Sequence, residues 1–279
     1  DAVREVANYA KALSWGIGQM EHRTVTTSFI KELHALLLDG VVAYRHERGA
    51  LRTMQAIVGT PGRSIDHARF IPPPPHDLPG LLLDLQRFIA EPGDVPPLVC
   101  LALTHYQFET IHPFPDGNGR VGRMLIPMLM RAWGIMRLPH VDFSAYVAPR
   151  RALYLDLLQH ISQRGEWRPW IVFVLEGLEH QGATTLRIAR DLLSLRDHLA
   201  AIFRDDLRLR QPVATADHLI EHASITSSQL GTLNQVSPAT AHRQIAALVK
   251  RGIVREATGR QRDRVYVADI VLNVFQSTE

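Results

Sequence analysis

The sequence predicts a mainly α-helical protein: a helical bundle interrupted by one exposed loop or small hairpin, followed by a small winged helix-turn-helix domain. Three observations carry this. Apolar residues recur at helical spacing through most of the first 210 residues, one stretch between residues 44 and 75 loses that period, and from Gln211 the pattern shortens abruptly.

Val3, Val6, Ala7, Ala10, Leu13 and Ile17 predict an opening amphipathic helix with those residues facing inward. A second helix runs through "TTSFIKELHALLLDGV", with Ile30, Leu33, Leu37 and Leu38 as its apolar face and Thr27 or Ser28 as its cap. "YRHERGALRTMQAIVGTPGRSIDHARFIPPPP" carries turn signals and short β-like runs, and Pro72 to Pro75 make a stiff spacer. Helical pattern resumes at "DLPGLLLDLQRFIA" and "PPLVCLALTHYQFETIH", then at "VGRMLIPMLMRAWGI", "RRALYLDLLQHISQRG" and "RPWIVFVLEGLEHQG". A linker helix over 183–210 leads to a domain over 211–279. There, Ser237 as cap, Pro238 at the first helical position and inward Ile245, Leu248 and Val249 predict a recognition-type helix. "GIVREATGRQRDRVYVA" then reads as a hairpin wing.

The bulk numbers exclude more than they assign. At 279 residues the chain predicts one larger and one smaller domain, and a net charge of +3 is too weak to mark a nucleic-acid binder by itself. The single cysteine, Cys100, sits in an apolar run and reads as a buried small hydrophobe, so a reducing cytoplasm is the default compartment. No apolar stretch approaches the roughly twenty residues that span a bilayer. The chain opens without a methionine and already in helical pattern, which predicts that the natural protein starts further upstream.

The chemistry concentrates in "IHPFPDGNGRVGRM", residues 111 to 124. Gly117 and Gly119 around Asn118 free the backbone to turn and to bring N–H groups close to a ligand. A helix starting directly afterwards adds unpaired N–H groups and a positive dipole end, a setting suited to phosphate. Arg120 and Arg123 are three apart, neighbours on one helix face, and can grip phosphate oxygens as forked donors. Asp116 would repel phosphate unless a cation separates them, and Mg2+ resolves the conflict. His112, four residues before Asp116, is a neutral imidazole placed to take a proton from an incoming hydroxyl. Phe114 reads as the buried pin of the loop. Singly, such features are a packed histidine, a turn or a solvated face; twelve consecutive residues carrying all of them describe transfer of a phosphorus-centred group from a nucleotide to a hydroxyl.

"HPFPDGNGRVGR", residues 112 to 123, resembles without a gap the signature H-x-F-x-[DE]-G-N-G-R-x-x-R of the Fic (filamentation induced by cAMP) family. The likeness extends from "REVANYAKAL" through "FIPPPP" and "FSAY" to about residue 180, so that residues 1–182 read as a Fic-type catalytic domain. The resemblance implies a protein adenylyltransferase that moves AMP from ATP to a serine, threonine or tyrosine hydroxyl of a target protein. A few relatives transfer UMP, phosphocholine or phosphate, and some remove AMP. Carried over by position, His112 is the general base, Asp116 the Mg2+ ligand and Asn118 the holder of the α-phosphate. The amides of Gly117, Asn118, Gly119, Arg120, Val121 and Gly122 form the anion hole, and Arg120 and Arg123 hold the β- and γ-phosphates. The segment Ile57 to Phe70 resembles the family's flap, which docks the target segment by strand-like pairing.

Two departures stand out. The inhibitory pattern [ST]-x-x-x-E-[GN] is met only nearly, by Ser28 and Glu32 with Leu33 in the last place, which implies an inhibitory helix upstream and a de-repressed form in this chain. Near the adenine the family often has two tyrosines; here Tyr154 is followed by Leu155. The C-terminal domain opens a second class of function. Thr240, His242, Arg243 and Gln244 on its helix, with Arg255, Arg260, Arg262 and Arg264 on the wing, could grip DNA. Interleaved Glu256 and Asp263 weigh toward target choice or oligomerisation instead, and a homodimer is among the partners the resemblance implies.

Overall fold

The computed structural model describes residues 2–41, 47–59, 68–137, 141–260 and 263–276. The chain divides into two compact units, residues 1–182 and 183–279.

In the first unit, α1 (Ala2–Gln19) packs on α2 (Thr27–Leu37). α1 is turned differently from its sequence pattern. Val3 and Val6 are 85% and 71% exposed and Ala7 and Ala10 face solvent, whereas Asn8 and Ala12 are buried. The reason is polar: the Asn8 amide donates to the carbonyls of Leu37 and Asp39, and Arg4 donates to Gly40, so the end of α2 selects the face that docks. α2 buries Ile30, Leu33 and Leu37, with Leu38 just beyond it, but its cap is Thr26, whose hydroxyl accepts from the Phe29 N–H at 3.2 Å. Glu32 forms a surface pair with Arg23 at 2.8 Å while Leu33 lies fully buried, as in an ordinary core helix.

A 3-10 turn at Pro75–Asp77 leads into α3 (Leu78–Ala90), then α4 (Pro97–Ile111) and α5 (Asn118–Ala132), which pack side by side. The short α6 (Phe143–Val147) and α7 (Arg151–Arg164) close the layer. Phe29, Leu33, Phe108, Phe114, Leu125 and Trp170 belong to one apolar core that backs both α4 and α5. Cys100 is buried in α4.

α8 runs unbroken from Trp167 to Asp205, through both Gly177 and Gly182. Glycine costs a helix interior only about 1 kcal/mol, which the surrounding good helix formers offset. The second unit then contains α9 (Pro212–His222), β1 (Ser224–Thr226), α10 (Ser227–Asn234), α11 (Pro238–Lys250), β2 (Arg255–Glu256), β3 (Val265–Val267) and α12 (Asp269–Gln276). The strands form an antiparallel sheet in the order β1-β3-β2, with Tyr266 opposite Ile225 and Glu256. Ser237 caps α11 and Pro238 opens it, while Ile245 and Leu248 enter a core with Leu219, Ile225, Leu230 and Val254. Val249, expected inward, is 40% exposed, because the inward stripe passes through Ile245 and Leu248 and leaves it to one side.

Candidate active site

His112 ends α4 in a left-handed conformation, φ 49° and ψ 60°. Few non-glycine residues sit there without support. The support is Arg52, only 4% exposed, whose guanidinium donates to the carbonyls of His112, Met54, Pro73 and Ile111. Its backbone N–H donates to Pro113 at 2.9 Å. A forked cation thus satisfies the carbonyl end of α4, where the helix dipole favours positive charge. Burial lowers the Arg52 pKa from its ordinary value.

The His112 ring is oriented by its own helix. Nδ1 lies 3.3 Å from the Glu109 carbonyl, which can only accept, so the proton sits on Nδ1 and Nε2 keeps its lone pair. Burial lowers the pKa of His112 against smaller opposing effects from Glu109 and Asp116, and the ring is neutral at physiological pH.

The turn after His112 is clamped from three sides. Phe114 is fully buried and stacks on His34, ring centroids 3.8 Å apart. His34 Nδ1 accepts from the Gly49 N–H at 3.0 Å, so its Nε2–H donates to the Asp116 carbonyl, also at 3.0 Å. Burial brings His34 down to about 4 and keeps it neutral. The Asn118 side chain accepts from the Phe114 N–H and donates to the Phe114 carbonyl, at 2.9 and 2.8 Å. Both ends of that amide are therefore occupied within the turn, and Asn118 has its main-chain N–H to offer a ligand. Gly117 takes φ 80° at the N-cap of α5, a conformation that favours glycine. Helical pairing begins only with the Val121 N–H, bonded to Gly117, which leaves the earlier N–H groups pointing off the helix end.

The two arginines of the motif are held apart. Arg120 donates to Glu5 of α1 at 2.8 Å and to Asp116 at 2.7 Å. Arg123 donates through Nε to Ser144 at 3.0 Å, and a β-carbon on Gly119 would come within 2.9 Å of its guanidinium. Asp116 is the one carboxylate of the turn, and no group of three or more metal-binding side chains occurs among the described residues. A single carboxylate such as Asp116 can serve Mg2+, which takes one or two protein carboxylates and completes its shell with phosphate and water.

On the other side of His112 a mostly apolar cavity is lined by Val58, Phe70, Glu109, Tyr154, Leu155 and Leu158. Its rim includes a two-residue β-bridge, Val58 to Phe70, the base of the expected flap; residues 60–67 of that segment lie outside the described residues. Tyr154 is tied to His105 by a 3.0 Å bond. Sequence reasoning missed Arg52, His34, Glu5 and Glu109. Only His34 left a signal, a polar residue on the buried stripe of α2.

A turn that joins a neutral imidazole, a carboxylate and a helix N-terminus is a setting in which a phosphate can be held. Residues 24–130 match the model of the Fic/DOC family. The chain is 30% identical over 161 residues to the protein adenylyltransferase fic-1 of Caenorhabditis elegans, covering 57% of this chain and 28% of that protein. It is 33% identical over 84 residues to the probable protein adenylyltransferase aq_aa38 of Aquifex aeolicus, covering 30% of this chain and 26% of that one. The chain thus spans little more than a quarter of these relatives. Among solved structures, a Fic family protein from Desulfovibrio desulfuricans G20 shares the fold, with a TM-score of 0.56 at 22% identity over 95% of this chain and 74% of that one. No helix among the described residues is long and apolar enough to cross a membrane.

Proposed function

We propose that this chain transfers AMP from ATP to a hydroxyl side chain of a target protein. The observation that carries the reading is the neutral His112, its Nε2 free, at the junction between the phosphate turn and the apolar cavity. The names of the relatives support the same activity. In this scheme the amides of Gly117 to Arg120 receive the α-phosphate and its neighbours, those of Val121 and Gly122 being taken up by helical pairing contrary to the sequence expectation, and Arg120 and Arg123 grip the β- and γ-phosphates. Mg2+ bound beside Asp116 would neutralise phosphate charge. His112 Nε2 takes the proton of the target hydroxyl as its oxygen bonds to the α-phosphorus; the bond to the bridging oxygen breaks and pyrophosphate leaves. Leu155 and Leu158 face the base, and the edge at Val58 and Phe70 receives the target segment.

The test uses the purified chain, ATP labelled at the α-phosphate, Mg2+ and a bacterial lysate, beside His112→Ala. Label and an AMP-sized mass increase, both lost in the variant, are expected. Label from the γ-position instead would reassign the chemistry to phosphoryl transfer.

For residues 211–279 we propose a winged helix-turn-helix that serves target choice or self-association. The order α9-β1-α10-α11-β2-β3 with its small antiparallel sheet supports the architecture. Arg255 is engaged by Asp269, which weakens the wing as a DNA grip. Salt-sensitive binding of the full chain to DNA fragments would overturn the choice of partner.

A further inference from the structure

Glu109 has no place in the scheme above, although it lies three residues before His112 and lines the same cavity. Part of the residue reaches the cavity, yet its Oε1 is shut away from solvent without a hydrogen-bond partner. That oxygen occupies space which exists only because residue 122 is glycine: a β-carbon on Gly122 would fall 2.4 Å from it. The next residue is Arg123. The charged and titratable groups around the carboxyl are Arg123 on α5, Tyr154 on α7, His105 and His112 on α4, and Arg69 at the cavity rim. Arg69 is already paired with Asp156, and the two histidines are neutral through burial. Tyr154 is kept protonated, its pKa raised well above the ordinary value by burial and by Glu109. Arg123 is the cation whose charge pulls on the carboxyl, through space and without an ion pair between the two.

We propose that Glu109 is a positioning residue that sets how much of the Arg123 charge is available to a bound phosphate. As a neutral acid it leaves the guanidinium to the ligand; as a carboxylate it competes for it. Burial lifts Glu109 to about 7 against the opposing pull of Arg123, so both forms are populated near neutral pH. A phosphate on Arg123 would favour the neutral form, and anion binding would take up a proton. The inference rests on the phosphate half of the proposed function and is independent of which nucleotide the site prefers.

The experiment measures binding of inorganic tripolyphosphate, ATP and adenosine to the full chain and to Glu109→Gln between pH 6 and 8.5. Taking the ratio of the two proteins at each pH cancels the ligand's own titration. For tripolyphosphate and ATP the proteins should agree near pH 6, and Glu109→Gln should bind about tenfold more tightly at pH 8.5. Glu109→Met should behave the same way, and Arg123→Gln should abolish the difference. A ratio that stays flat with pH would overturn the proposal, as would the same gain for adenosine, which carries no phosphate. Failure of wild type to bind tripolyphosphate at any pH would overturn it too. If tripolyphosphate shows the effect while ATP transfers nothing, the positioning role stands and the adenylyltransferase reading falls.

Discussion

On the α5 side of His112, polar side chains fix main-chain groups in place; on the α7 side, Leu155 and Leu158 share the wall with Tyr154, Gln159 and Ser162. Arg52, His34 and Asn118 together make eight hydrogen bonds to main-chain groups around the phosphate turn. Leu155 and Leu158 can offer a ligand only shape and apolar contact. The turn is pre-organised before any ligand arrives, as charge stabilisation requires. The cavity wall can be altered at low cost, because one apolar side chain replaces another with little change in energy. Chemistry should therefore fail sharply when the turn side is touched, and specificity should drift when the cavity is.

The largest effect belongs to His112→Ala. Removing a positioned general base should lower the transfer rate about 10²–10⁴-fold, with ATP affinity changed little, as read from single-turnover labelling. Equal loss of binding and rate would mean that His112 holds the nucleotide and is not its base.

Next comes Arg52. Truncation to alanine would strand buried carbonyls at the end of α4 and should cost about 3–5 kcal/mol in urea unfolding. Arg52→Lys should recover only part of this, because an ammonium cannot reproduce the fork that spans Pro73 and His112. Full recovery would reduce Arg52 to a point charge.

Arg52 also shows where sequence reading stops. The motif from His112 to Arg123 was legible because its parts are adjacent, so spacing alone implies a turn, a helix start and a pair of arginines on one face. Arg52 lies sixty residues upstream in a segment without periodicity, and nothing local tells a buried arginine from an exposed one. The same limit explains α1. Its apolar spacing through Val3, Val6 and Ala10 was real, but Asn8 and its carbonyl partners at and just beyond the end of α2 chose the buried face. Of the cavity, His112 was legible from the motif, while Tyr154, Leu155 and the flap segment with Val58 and Phe70 were foreseen through family likeness. Glu109, Leu158 and the rest were not, since the cavity's walls come from remote segments.

The turn side should also carry the acid sensitivity of the fold. His34 and His105 are buried and neutral, lowered from 6.5 to about 4 and about 3. A histidine depressed in the folded state loses stability as pH falls, because the unfolded chain takes up the proton first. Between pH 6.5 and 4, His34 alone should remove up to about 3 kcal/mol. His34→Phe keeps a ring against Phe114 but drops both hydrogen bonds. It should be less stable than wild type at pH 7.5, yet lose less between pH 6.5 and 4.5 in urea titrations. An unchanged acid slope would remove His34 from the account.

The smallest effect is expected at Leu155, which is only partly buried. Leu155→Ala should cost about 1 kcal/mol of nucleoside contact, a rise in KM for ATP of less than tenfold with kcat nearly constant. Leu155→Tyr, which restores the tyrosine pair the family often has, should lower KM by a similar factor and widen the gap between ATP and pyrimidine triphosphates through stacking. A fall in kcat instead would mean that Leu155 positions the α-phosphorus. The cavity and the turn would then act as one device.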